Sequence, residues 1–166
     1  MQNLCIFVCL IINYNMDQGF VSKCGMKAFL AAAVAVSLMS CSPSGGWSVE
    51  EKSLIAGEGH IMRVLTVDDY EDSLFLRRET LEMTPAMVAS EEYRLLAGKM
   101  VATVTSPEQG GVGIAGPQVG ISRRVVAVRR FDIEGEPFRV YPNIKITARR
   151  GPDECGPEGC LSVPGR

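Results

Sequence analysis

Two segments of the chain contain residue types that could do chemistry. The first, residues 111–120, has four glycines in ten positions, a stiffening proline and Gln118. Glycines let another part of the backbone come close, and a glutamine amide on a constrained backbone can donate a hydrogen bond to a developing oxyanion. A purely structural turn is the other interpretation, and composition alone favours it.

The second segment, residues 156–165, contains Cys160. A cysteine there could be a small buried hydrophobe, half of a disulfide, a nucleophile or a metal ligand. Cys155 lies five residues earlier, and such a pair in an exported protein points first to a disulfide. The residues alone leave these four roles open.

Composition and motif context exclude several classes of protein. The chain has 166 residues with 17 basic and 19 acidic side chains, a net charge of −2, which fits neither a collagen-like nor a wholly disordered chain. The glycine-rich segment lacks the Gly-Lys-Ser/Thr ending of a phosphate loop and follows a predicted helix, so neither nucleotide fingerprint applies. Arginine pairs at 123–124, 129–130 and 149–150 flank predicted strands, and we interpret them as solvated strand ends, with no nucleic-acid partner.

One helix and several strands must position these two segments. Ser90 is a good N-cap, and apolar residues follow at helical spacing: Tyr93, Leu96, Met100 and Val104. Residues 125–128, 138–141 and 144–147 are predicted strands, with a hairpin loop at 132–136. The acidic cluster 68–72 is interpreted as a solvated loop. The fold class predicted from this order is α+β with an antiparallel sheet.

The N-terminal part of the chain has the pattern of an export signal. Residues 26–40 combine a lysine, an apolar stretch and a small-residue exit, and Cys41 follows as in the lipobox of bacterial lipoproteins. A buried Ala/Val helix is the alternative for this stretch. We therefore divide the chain into an upstream extension (1–25), a signal peptide (26–40), a linker or tether (41–72, most clearly its polar, Gly/Ser-rich first part) and a folded domain (73–166), with Cys41 as the lipidated residue.

Residues 111–120 and 158–162 together resemble two motifs of the peptide deformylase family. The matching patterns are Gly-x-Gly-x-Ala-x-Pro-Gln-x-Gly and Glu-Gly-Cys-Leu-Ser, in the same order and at the same spacing, with strands between them. The resemblance covers about the last 90 residues of the chain. It implies an α+β fold in which antiparallel sheets surround a helix that carries a His-Glu-x-x-His motif.

The resemblance also implies a reaction and a set of site residues. Family members remove the formyl group from N-formylmethionyl peptides by metal-assisted hydrolysis, natively with Fe(2+), although Zn or Ni can occupy the site. It implies that Cys160 is a metal ligand and that Gln118 and the backbone N–H of Leu161 stabilise the oxyanion. Substrate binding is implied for Val112, Gly113 and Gly159, with the peptide added as a strand.

The chain departs from the family pattern at the third motif. No His-Glu-x-x-His sequence is present, and the single histidine, His60, falls in the predicted linker. We therefore expect an incomplete chain that is inactive alone. The alternative is a non-catalytic, lipid-anchored peptide-binding protein. The leader predicts the bacterial cell envelope, or the cytoplasm if it is not used, and a Cys155–Cys160 disulfide formed after export would remove the metal thiolate.

Overall fold

Helices come first along the chain and a small sheet follows. The computed structural model describes residues 45–148, 151 and 159–164. Its elements are α1 (Val49–Ala56), α2 (Tyr70–Leu76), α3 (Pro85–Val88), α4 (Glu91–Val104), β1 (Gly113–Ala115), a 3₁₀ helix (Gly116–Val119), β2 (Val125–Arg129) and β3 (Phe138–Pro142). The predicted α+β class is confirmed. The predicted extension, signal peptide and Cys41 lie outside the described residues.

The sheet is antiparallel, with strand order β1-β2-β3. Ile114 pairs with Ala127, which pairs with Val140, so these residues share one face, and all three contribute to the hydrophobic core. The β2–β3 connection turns through Gly135 and Glu136, which both have positive φ. Two of the predicted strands and the hairpin loop between them are therefore confirmed.

The third predicted strand, residues 144–147, is wrong. Residues 144–148 form no strand, and Ile146 is exposed although its spacing suggested a half-buried face. The physical reason lies just before them, where Asn143 adopts a left-handed conformation with φ 53°. Its side chain exchanges two hydrogen bonds of 2.8 Å with the backbone of Met83, which turns the chain away from the sheet.

Helix α4 forms the centre of the core. Ser90 caps its N-terminus by accepting a hydrogen bond from the Tyr93 N–H, as predicted. Leu96, Met100 and Val104 are fully buried and pack against the inner face of the sheet. The predicted helix and its apolar stripe are confirmed.

The linker predicted within residues 41–72 is wrong for the residues that the structure describes. Helix α1 begins after Ser48, which forms a reciprocal capping box with Glu51, and Ile55 of this helix is 1% exposed. The capping pattern lies within a Gly/Ser-rich stretch, and the short helix buries few apolar residues, so no periodic signal marks it. The folded domain therefore begins before residue 73.

Charged contacts fasten this N-terminal region to the rest of the domain. Arg123 forms a buried two-bond ion pair with Glu51, with N–O distances of 2.7 and 2.9 Å, and donates to the carbonyl of Gly46. Trp47 lies against the same guanidinium and donates to Ser90 Oγ at 3.0 Å. Arg123 is therefore not the solvated strand end that its position suggested. In the part of the chain that the structure describes, no helix has the length and apolar character needed to cross a bilayer.

Candidate functional site

Gln118 is held in one orientation by its own backbone neighbourhood. It lies in the 3₁₀ helix with 3% of its surface exposed, and its Oε1 accepts a hydrogen bond from the Ala115 N–H at 2.9 Å. Because a backbone N–H can only donate, the atom facing it must be the oxygen of the amide. The nitrogen, Nε2, is therefore the atom on the other branch of the amide, directed away from the Ala115 N–H.

Nε2 of Gln118 points toward the second predicted segment. It lies 3.2 Å from Ser162 Oγ and 3.9 Å from Cys160 Sγ. The two segments that the sequence singled out, 42 residues apart at these positions, thus meet through an amide donor and a thiol. The structure brings Gln118 and Cys160 together, and the family resemblance assigns both residues to one site.

The segment around Cys160 is a tight turn. The Val163 N–H donates to the Cys160 carbonyl at 2.9 Å, and Cys160 and Leu161 are half-buried. The Leu161 side chain packs against the core close to Gly111, where an added Cβ would lie 3.1 Å from Leu161 Cδ1. Gly159, in contrast, is exposed, with nothing within 4 Å of an added Cβ among the described residues.

Strand β1 offers one free edge among the described residues. The Val112 carbonyl accepts from the Arg129 N–H at 2.9 Å, and the Ala115 N–H is used by Gln118 rather than by β2. Since hydrogen-bonded and non-hydrogen-bonded pairs alternate in an antiparallel ladder, the amide and carbonyl of Gly113 face away from β2. An extended peptide could add to this edge beside Gln118.

Sequence reasoning missed the segment that joins these parts. Residues 62–67 are irregular, and three of their N–H groups reach three different elements. Met62 donates to Thr103 Oγ1 at 2.8 Å, Leu65 to the Gln118 carbonyl at 2.8 Å, and Val67 to the Ser162 carbonyl at 2.9 Å. Backbone contacts of this kind leave no residue-type signal, so only the structure could reveal them.

The acidic cluster beside that segment is only partly solvated. Asp69 caps α2, and Asp72, which is 6% exposed, forms two hydrogen bonds of 2.9 and 2.7 Å with the Arg63 guanidinium. Burial by itself raises the pKa of Asp72, but hydrogen bonds from Arg63 and the Thr66 N–H favour the carboxylate. The pKa is therefore lowered from its ordinary value near 3.8.

The described residues do not by themselves fit a catalytic metal. Among them, no three His, Cys, Asp or Glu side chains come together as a ligand set. His60 is exposed, and Cys155, with its predicted disulfide, lies outside the described residues. Cys160 is the one residue of the predicted metal site that the described residues include, whereas catalytic zinc sites, for example, use three protein ligands.

Comparison with known proteins gives one consistent result. The family model described as Polypeptide deformylase matches residues 61–166. A peptide deformylase from Desulforudis audaxviator is 38% identical over 106 residues, which cover 63% of this chain and 62% of the relative. Peptide deformylase 1 of Clostridium perfringens is 39% identical over 77 residues, which cover 46% of this chain and 49% of the relative.

Solved structures agree with the sequence relatives. A class I type b peptide deformylase from Acinetobacter baumannii superposes with a TM-score of 0.54 at 33% identity, covering 64% of this chain and 66% of that one. The same enzyme with Met-Ala-Ser bound gives a TM-score of 0.52 at 32% identity, covering 64% of this chain and 67% of that one.

The chain spans about half to two thirds of the length of the relatives named here. The match over residues 61–166 covers both site segments and also residues 62–67, and it begins before the domain boundary predicted at residue 73. By its matching family model and its relatives, the chain belongs to the polypeptide deformylase family.

Proposed function

We propose that this chain forms the peptide-binding and oxyanion-binding part of an enzyme that removes the formyl group from N-formylmethionyl peptides. One observation carries the proposal. The amide nitrogen of Gln118 is fixed by the Ala115 N–H and points at the Cys160 turn, beside the free edge of β1. That arrangement suits a reaction in which an amide oxygen gains negative charge next to a bound peptide.

The peptide would bind as a fourth strand on the edge of β1. The outward amide and carbonyl of Gly113 would make its main-chain hydrogen bonds, with Val112 and Gly159 as further binding residues. Main-chain pairing of this kind is compatible with many substrate sequences, because it does not depend on side chains. The tripeptide bound by the Acinetobacter baumannii enzyme supports a short peptide as the class of ligand.

Two donors would stabilise the oxyanion. Gln118 Nε2 is one, because its orientation is set before substrate arrives, and a donor that is already oriented loses little free energy when charge develops. The backbone N–H of Leu161, in the same turn as Cys160, is the other. Gln118 is buried and Leu161 is half-buried, and a hydrogen bond to a charged oxygen is stronger in such surroundings than in water.

Cys160 would be one ligand of a metal ion, with Fe(2+) expected and Zn or Ni able to replace it. One thiolate does not hold a catalytic metal, so the described residues cannot complete the hydrolytic site. The alternative function, a non-catalytic lipid-anchored peptide-binding protein, rests on the same observation that a peptide edge and an oriented amide accompany a single candidate ligand.

The experiment compares N-formyl-Met-Ala-Ser with Met-Ala-Ser on the full chain. Calorimetry should show tighter binding of the formyl peptide, and Gln118→Met should remove that preference while both peptides still bind. Equal affinity of the unmodified chain for the two peptides would contradict the proposal. Formate release in the presence of Fe(2+), measured after a segment carrying the His-Glu-x-x-His motif is supplied to the chain, separates the alternatives. The enzyme part should then release formate, and a non-catalytic binder should still release none.

A lipid anchor at Cys41 in the bacterial cell envelope is a separate proposal. It is supported by the apolar stretch in residues 26–40 and the cysteine directly after it. Expression in a bacterial host with labelled palmitate should give a labelled protein, and Cys41→Ser should abolish the label. Unlabelled wild-type protein would contradict this localisation.

A further inference from the structure

We infer that Ser162 is a positioning residue, whose hydroxyl holds the side-chain amide of Gln118 in the orientation that an oxyanion donor needs. The inference rests on the proposed function, because it assigns a task to the same amide. Ser162 itself touches neither the peptide edge nor the Cys160 thiol in the contacts described, so it would act through Gln118.

The amide of Gln118 is held at both ends. Its Oε1 accepts from the Ala115 N–H at 2.9 Å, and its Nε2 donates to Ser162 Oγ at 3.2 Å. The terminal torsion of a glutamine is broad, so a single hydrogen bond would leave the amide plane free to tilt. The second contact restricts that tilt and therefore sets where the remaining N–H of Nε2 points.

Ser162 is itself firmly placed. It is 2% exposed, and its carbonyl accepts from the Val67 N–H at 2.9 Å. It lies two residues after Cys160 in the turn closed by the Val163 N–H. A hydroxyl on this turn therefore fixes the position of the Gln118 amide relative to the Cys160 thiol.

The geometry also explains why a polar residue occupies such a buried position. Nε2 carries two protons: one is donated to Ser162 Oγ at 3.2 Å, and the other has only the long, weak contact of 3.9 Å with Cys160 Sγ, which a substrate oxygen could replace. With alanine at this position, a buried N–H would lose its acceptor, and leaving such a donor unsatisfied is unfavourable. The amide would then turn toward any other acceptor within reach.

The test is nuclear magnetic resonance of the full chain labelled with ¹⁵N-glutamine. The chain has four glutamines, at positions 2, 18, 109 and 118, and Gln118→Met identifies the signals of Gln118. We expect the Gln118 side-chain protons to exchange with solvent at least about tenfold more slowly than those of half-buried Gln109. Ser162→Ala should remove most of that protection and shift the two signals, whereas Ser162→Thr, which keeps the hydroxyl, should retain it.

Ser106→Ala is the matched control. Ser106 is 4% exposed, and its Oγ has no hydrogen-bond partner in the described part of the chain, so the variant removes an equally buried hydroxyl without touching Gln118. The side-chain signals of Gln118 in Ser106→Ala should be the same as in the unmodified chain. Circular dichroism of each variant verifies folding, and the comparison of Gln118 with Gln109 in the unmodified chain needs no variant at all.

Two results would overturn the inference. One is a Gln118 amide that exchanges as fast as Gln109 in the unmodified chain, and the other is wild-type protection in Ser162→Ala. A second measurement separates this inference from the proposed function: Ser162→Ala should lower the preference for N-formyl-Met-Ala-Ser over Met-Ala-Ser about threefold to tenfold. If the unmodified chain shows no preference while Ser162→Ala still releases the amide, the proposed function fails and the positioning contact stands.

Discussion

The glycine-rich segment 111–120 and the N-terminal region 45–72 both help to build the site, but they are held in different ways. In the glycine-rich segment, one strand and one 3₁₀ helix place a neutral amide through hydrogen bonds of the backbone. In the N-terminal region, two ion pairs, Arg123 with Glu51 and Arg63 with Asp72, fasten helices α1 and α2. The first region carries the amide that we propose as an oxyanion donor, and the second contacts the first through the hydrogen bond from the Leu65 N–H to the Gln118 carbonyl.

The two regions also differ in how visible they are in the sequence. Close backbone approach restricts residue types, so the segment 111–120 stands out through its glycines, its proline and Gln118. An ion pair between residues 72 positions apart has no local pattern, because Glu and Arg are common everywhere. A region that holds a site in place can therefore have the sequence composition of a tether.

The largest expected effect comes from breaking the buried ion pair of the N-terminal region. Glu51→Ala would leave Arg123 buried without its carboxylate, since the Arg123 side chain is only 9% exposed. We expect the free energy of unfolding to fall by about 3–5 kcal/mol, measured by urea denaturation. If the N-terminal region were only a tether, Glu51→Ala would leave the free energy of unfolding unchanged.

Two further variants sharpen that result. Lys52, in the same helix as Glu51, forms an exposed ion pair of 3.7 Å with Glu92 of α4, and Lys52→Ala should change stability by less than about 1 kcal/mol. The double variant Glu51→Leu with Arg123→Met removes both charges, and it should be more stable than Glu51→Leu alone. Equal effects of Glu51→Ala and Lys52→Ala would show that the N-terminal region does not hold the domain.

The next effect is expected inside the glycine-rich segment. At Gly111, an added Cβ would lie 2.9 Å from Val104 Cγ2 and 3.1 Å from Leu161 Cδ1. Gly111→Ala should therefore destabilise the fold by about 1–3 kcal/mol and displace Leu161, which follows Cys160. Urea denaturation measures the first effect, and the second should appear as a changed rate of thiol labelling at Cys160.

Gly98 is the control for that substitution. It lies in helix α4 with nothing within 4 Å of an added Cβ, so Gly98→Ala should stabilise the protein by about 0.5–1 kcal/mol. A loss of stability in Gly111→Ala together with a gain in Gly98→Ala would show that close packing, and not the loss of glycine itself, explains the result at Gly111. A gain of stability in both variants would contradict the tight contact between Gly111 and Leu161.

The sequence predicted the fold class, the capped helix α4 and two strands, because those features depend on local periodicity or on a cap. The resemblance to the deformylase family implied that Gln118 and Cys160 belong to one site. The third strand was wrong because Asn143 turns the chain through a contact with Met83 that lies 60 residues away in sequence. Ser162 was part of a recognised motif, yet its contact with Gln118 could be found only in three dimensions.

The smallest expected effect concerns the second ion pair of the N-terminal region, because Arg63 is 67% exposed and solvent screens its charge. The pKa of Asp72 is lowered in the folded protein, so the ionised carboxyl stabilises the fold above its ordinary value near 3.8, and this stabilisation is lost as the pH falls through the lowered value. Asp72→Asn should therefore lower the melting temperature at pH 7, and the difference from the unmodified chain should shrink steadily as the pH falls below about 4. If the difference in melting temperature stays unchanged in strong acid, Asp72 acts through its packing and its contact with the Thr66 N–H, and not through its charge. Of the two ion pairs, only Arg123 with Glu51 would then hold the N-terminal region by charge.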